Sequence, residues 1–238
     1  MRAYSLTLVA LVGTSVSWWL AMSTQGGTWT ARGVLVGGLA ATWTLSYACS
    51  ADRALALEMH RPKAGDPTKG IASAMLVGAM LWACVKFGWL KSLVPQFQYV
   101  AATLRVVGIE NAEPSGLALA AQGLCLAAYA LAFEGIWRGF VLLSLESQCG
   151  SRKAEVMAAV LSVLAVVPAA LVLSPSGHLI AFGAFWPLVH AVAALCSVVL
   201  VRISGRLVPG AIALGMVLVL VLSPARQSLS RAESVSQD

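Results

Sequence analysis

Between Gly116 and Ser147 the chain runs GLALAAQGLCLAAYALAFEGIWRGFVLLSLES, a long apolar stretch with one acid, Glu134, and one base, Arg138, in its interior. Spaced four apart, the two side chains share one face of a helix, one above the other. An ionisable group among lipid tails costs about 2.5 kcal/mol or more on insertion scales, so an uncompensated charge is disfavoured there. Two readings follow. Either the pair neutralises itself and locks this helix to its neighbours, or it is the polar heart of a buried site.

The rest of the composition settles which solvent is meant. Of 238 residues, 59% are apolar and only 11% charged, with a mean hydropathy of +0.82. A soluble domain averages about 25% charged residues. The chain therefore reads as an all-α integral membrane protein, a polytopic bundle of about seven or eight spans of about 20 residues each. Its +6 charge lies between apolar runs rather than on one patch. That excludes a nucleic-acid surface and fits the retention of Lys and Arg on the cytoplasmic side, with the lipid bilayer as partner. The five cysteines are scattered without CxxC spacing or a Cys/His cluster, so neither a metal site nor a cofactor is expected.

Taken in order, residues 5–22 form an uncleaved first span with Trp18 and Trp19 as interfacial anchors. Residues 33–49 make a second, where Gly33, Gly37 and Ala41 offer a small-residue face for close packing. The loop from Ser50 to Lys69 is the most polar and reads as cytoplasmic; Pro62, Gly65 and Pro67 argue against helix, and His60 reads as a surface residue. A third span follows over 70–90, then an amphipathic surface helix over 96–109. The organising stretch is longer than one span needs, so it is either one kinked helix or a span continued by a half-helix. Gly135 and Gly139 are its weak points. Further spans cover 154–173, with a kink at Pro168, then 179–201 and 207–222, and the tail is expected to be disordered.

Three side chains could carry chemistry at membrane depth: Glu134, Arg138 and His190, the last near the centre of its span. A carboxylate in a dry site can deprotonate water, and an imidazole can orient it or bind a developing oxyanion. His190 reads equally as an interhelical hydrogen-bonding residue. No nucleophile elbow and no HExxH pair is present.

FEGIWRGFVLLSL, Phe133 to Leu145, resembles the first motif of the CAAX-protease and bacteriocin-processing (CPBP, or Abi) intramembrane proteases, Glu-Glu-x-x-x-Arg followed by Gly and an apolar residue. Glu134, Arg138, Gly139 and Phe140 match it, while Phe133 stands where the first Glu is expected. The helix over 154–170 resembles the one that ends in Phe-x-x-x-His, with Val166 and Ala170 at those places. RISGRLVPGAIAL resembles the turn into the last conserved helix, with Leu214 near its usual His. WPLVH, Trp186 to His190, has the Phe-x-x-x-His spacing one helix later.

The resemblance implies a division into N-terminal helices with a loop and an amphipathic helix (residues 1–114), a CPBP-like core (115–223) and a tail (224–238). It also implies a multi-pass protein of a prokaryotic inner membrane, cleaving membrane-associated peptides or proteins. Glu134 would then be the acid or base, Arg138 its partner and His190 the transition-state stabiliser, unless His178 has taken that place. Because the first Glu is missing, a non-catalytic relative binding a membrane partner in the same cavity is the alternative. A transporter or channel would require an internal repeat or a second intramembrane acid, and the sequence has neither.

Overall fold

Where water is absent every backbone N–H must find its carbonyl within the segment, so apolar runs of this length become helices. The computed structural model describes residues 2–24, 28–86, 116–168 and 179–218. These contain eight helices and no strand: α1 (Arg2–Ser23), α2 (Thr28–Cys49), α3 (Arg53–Met59), α4 (Asp66–Lys86), α5, α6 (Ser151–Leu164), α7 (Leu179–Ser204) and α8 (Val208–Leu218). Helix α5 is continuous from Gly116–Glu134 through a π-helical segment, Gly135–Val141, into Leu142–Cys149. Among the described residues two stretches, Tyr4–Ser23 and Ala120–Cys149, are long and apolar enough to cross a membrane. The helix expected over 96–109, His178 and the tail lie outside the described residues.

Helices α1 and α2 make the most extensive contact, but not through the face the glycines of α2 suggested. Gly33 and Gly37 have nothing within 4 Å of an added Cβ. The close approach is one residue further round, at Gly38. A Cβ there would stand 2.4 Å from Ser17 Oγ, and one on Gly13 would stand 2.4 Å from Thr42 Oγ1. Ser17 and Thr42 turn their hydroxyls back onto their own helices, at Gly13 O (2.6 Å) and Gly38 O (2.9 Å). Each small polar side chain is thereby satisfied without water and sits in the notch left by a glycine across the seam.

The polar loop is not irregular throughout. It folds into α3, and α4 then begins at Asp66 with Pro67 in its first turn, a position where the missing N–H is harmless. Helix α3 is tied to the α7–α8 turn: Leu207 N–H donates to Met59 O at 2.9 Å, and Arg206 donates to the Glu58 carbonyl. Arg202 of α7 pairs with Glu155 of α6 at 3.4 Å. The three basic loops thus meet at one end of the bundle. Gly150 (φ 80°) and Gly205 (φ 65°) close the α5–α6 and α7–α8 turns in the left-handed region that glycine adopts without strain. Pro168, expected as a kink, instead follows the end of α6. The helix stops at Leu164, whose carbonyl a proline four residues on cannot bond.

The core is built around the second half of α5. Tyr129, Phe133, Ile136, Trp137 and Phe140 are buried together with Trp18 of α1 and Leu39 of α2. The outward faces remain apolar: Met75, Leu76, Leu124, Leu195 and Ile203 are each more than 60% exposed.

Candidate functional site

The charged pair lies at the junction between the regular and π-helical parts of α5. Leu142 N–H reaches back five residues to Trp137 O, and every residue from Gly135 to Val141 is buried. Such widened turns recur at functional sites because they re-aim the side chains around them. Glu134 and Arg138 are themselves buried, with Arg138 Nε 3.6 Å from Glu134 Oε2. That separation is electrostatic contact, longer than the roughly 2.7–2.9 Å of a charge-assisted hydrogen bond.

Glu134 Oε2 instead accepts a hydrogen bond from Ser197 Oγ of α7. Gly210 of α8 closes over the same point, where a Cβ would stand 2.4 Å from Ser197 Oγ and 3.4 Å from Glu134 Oε2. Three helices converge on one carboxylate oxygen. The other oxygen, Oε1, and the three guanidinium nitrogens of Arg138 have no hydrogen-bond partner among the described residues. Buried polar atoms are nearly always paired, so four uncommitted ones within one turn ask for an explanation.

His60 is not the surface residue that loop polarity suggested. It follows α3 directly, and its ring lies on the π-helical segment: a Cβ on Gly135 would be 2.6 Å from His60 Nε2 and 2.7 Å from Trp43 Nε1. Trp43 Nε1 donates to His60 Nε2 at 3.2 Å, and His60 Nδ1 donates to Ala56 O at 2.6 Å. These partners fix the tautomer, because the carbonyl can only accept and the indole can only donate. Phe140 completes the pocket, with its ring centre 5.4 Å from Trp43 and 6.3 Å from His60. Both ring nitrogens are committed, so His60 docks the loop rather than offering a free base.

His190 of α7 is buried as expected and faces α5. Its Nε2 lies 3.5 Å from the Tyr129 hydroxyl, and its ring packs on Phe133 (5.4 Å between centres) and Trp18 (6.2 Å). Ser197 is seven residues further along the same helix, so the imidazole and the Glu134 contact share a seam but lie about 10 Å apart along the axis. Phe133 stacks on Tyr129, with 5.7 Å between ring centres.

One turn from Glu134, an open groove of about 360 Å³ runs between α5 and α8, lined by Leu126, Ala130, Leu131, Ala211, Ile212 and Met216 among others. Among the described residues no three His, Cys, Asp or Glu side chains come together. The arrangement is therefore a carboxylate with one oxygen available, a guanidinium with donors available, and an apolar channel beside them. Sequence reasoning had placed Glu134, Arg138 and His190 but not Ser197, Gly210 or Trp43. The only written signal for Ser197 is its seven-residue offset from His190, which keeps both on one helical face. No protein-family model, no curated protein and no solved structure matches the chain.

Proposed function

We propose that the chain is a multi-pass membrane protein of the CPBP type and an intramembrane endopeptidase acting on membrane-associated peptides or proteins. The observation that carries this reading is the buried Glu134–Arg138 pair, with four polar atoms uncommitted among the described residues. A pair kept for cohesion alone would close its hydrogen bonds. In the reaction, Glu134 Oε1 would take a proton from water, and the Arg138 guanidinium would hold the negative charge that develops on the attacked carbonyl.

Three further features support the setting. The outward faces of α1, α4, α5, α6 and α7 carry Leu, Val, Ile or Met, as lipid contact requires. The basic loops gather at one end, which supports a cytoplasmic position for that end. The groove between α5 and α8 offers an apolar route that stops one turn short of Glu134.

The test compares membranes of cells expressing the wild-type chain, Glu134→Gln and Arg138→Lys, reading new peptide termini among membrane proteins and on a tagged membrane substrate. Cleavage that disappears in both variants at unchanged abundance is the expected result. Identical termini with and without Glu134 would defeat the hydrolase.

One observation favours a second reading, in which the chain binds such a partner without cutting it. Phe133, standing where the motif has its first acid, is locked between Tyr129 and His190. Co-purification of a membrane peptide that survives Glu134→Gln would select that reading.

A further inference from the structure

Glu134 has two carboxylate oxygens in very different surroundings, and Ser197 makes the difference. Its hydroxyl, fully buried on α7, donates to Oε2, while Oε1 has no partner among the described residues. A serine side chain has three staggered positions, and something must hold this one against the acid. Gly210 supplies the restraint. The backbone of α8 lies so close to Ser197 that a single added carbon would stand 2.4 Å from Oγ. Ser197 belongs to no motif, and the Ser197–Gly210 contact serves no helix cap or turn.

We infer that Ser197 is a positioning residue for Glu134. It fixes the carboxyl plane by engaging Oε2, so that Oε1 is the oxygen presented to the reacting group, and Gly210 is glycine because any side chain would displace that hydroxyl. This rests on the reading of Glu134 as the reacting acid, but its test does not require turnover. Neither Ser197 nor Gly210 touches substrate in this scheme; both act through the carboxylate.

The experiment labels the detergent-purified full chain with dicyclohexylcarbodiimide, which attacks carboxyl groups in apolar surroundings, and follows modification of the Glu134 peptide by mass spectrometry. Ser197→Thr and Ser197→Val have the same shape and differ in the hydroxyl. The Thr variant should label at the wild-type rate. The Val variant should label roughly tenfold faster, the worth of one hydrogen bond to an ionisable group. Gly210→Ala, which keeps the serine but evicts its hydroxyl, should label like Ser197→Val. Combining Gly210→Ala with Ser197→Ala should add nothing further, because the two act through one contact.

Equal rates for Thr and Val would overturn the inference, as would multiplying effects in the double variant. Thermal unfolding of each variant separates orientation from loss of fold, and Gly210→Ala supplies the reading if Ser197→Val does not accumulate. Should Thr and Val differ as expected while membrane processing is indifferent to Glu134→Gln, the positioning stands and the endopeptidase fails. The reverse pattern removes Ser197 and leaves the endopeptidase.

Discussion

Replacing the charged pair as a unit, Glu134→Leu with Arg138→Met, should make the protein more stable, while either change alone should make it much less so. The magnitudes follow from the contacts. The double replacement removes four buried polar atoms without hydrogen-bond partners among the described residues: Glu134 Oε1 and Arg138 Nε, Nη1 and Nη2. At about 1 kcal/mol each they amount to about 4 kcal/mol, against which the Ser197 hydroxyl loses its acceptor at about 1.5 kcal/mol. The electrostatic contact at 3.6 Å is also lost, which leaves a net gain of roughly 1–2 kcal/mol. Glu134→Leu alone strands a buried guanidinium and should cost about 3–5 kcal/mol. Unfolding in detergent, titrated with SDS and followed by tryptophan fluorescence, measures all three variants against the wild type. The double variant should also lose all processing. If it is as unstable as the single variant, the pair is cement between helices, and its open valences say nothing about a site.

Three other outcomes follow from the packing. Gly135→Ala drives a methyl group to 2.6 Å from His60 Nε2 and should cost about 1–3 kcal/mol, whereas Gly37→Ala meets nothing within 4 Å and should be neutral or stabilising by up to about 1 kcal/mol; the same SDS titration compares them. Leu124→Arg, at a position 72% exposed, should deplete the membrane-inserted fraction after alkaline extraction, since a charge facing lipid costs about 2.5–3.5 kcal/mol, whereas a water-facing site would lose less than about 0.5 kcal/mol. Single cysteines placed at Lys63 and Ser151 in a cysteine-free chain should both be shielded from an impermeant thiol reagent in intact cells, and one at Thr24 should react; the opposite pattern would invert the proposed orientation.

Much of this arrangement was legible because it rests on local rules. The spacing of Glu134 and Arg138 put them on one face, and the scarcity of charge around them demanded burial. Other features depend on which neighbour arrives. The small residues of α2 recur at more than one register, and nothing within α2 says that Gly38 rather than Gly37 meets α1; that choice is made by Gly13 and Ser17 across the seam. His60 was misplaced for a related reason. Polarity describes the loop as a whole, but a seven-residue helix with an Arg206 tether turns one end of it inward. The π-helical turn left no written trace beyond Gly135 and Gly139, since its register shift is stabilised by the loop and Trp43 packing onto it. Ser197 was invisible because a lone serine in an apolar helix usually bonds its own backbone, and only the arrival of Glu134 gives it a different partner.

Two histidines stand near the one acid, and their geometry bears on what each could contribute if Glu134 is the reacting group. Hydrolysis by a carboxylate needs its helper within about 3 Å of the same water or oxyanion. His190 is about two turns of α7 away from the Ser197 contact, and its ring packs on Phe133. His60 is near, but both of its nitrogens are taken by Trp43 and Ala56. Arg138 is one turn from Glu134 on the same helix, and its donors have no other claim among the described residues. If the site cleaves, the oxyanion is therefore held by a guanidinium, and His190→Ala should lower stability through its contacts with Tyr129 and Trp18 while leaving residual cleavage. Arg138→Lys should abolish cleavage, because a point charge cannot reproduce a planar fork. A His190→Ala variant that folds normally and is as inactive as Glu134→Gln would refute the assignment of the oxyanion to Arg138.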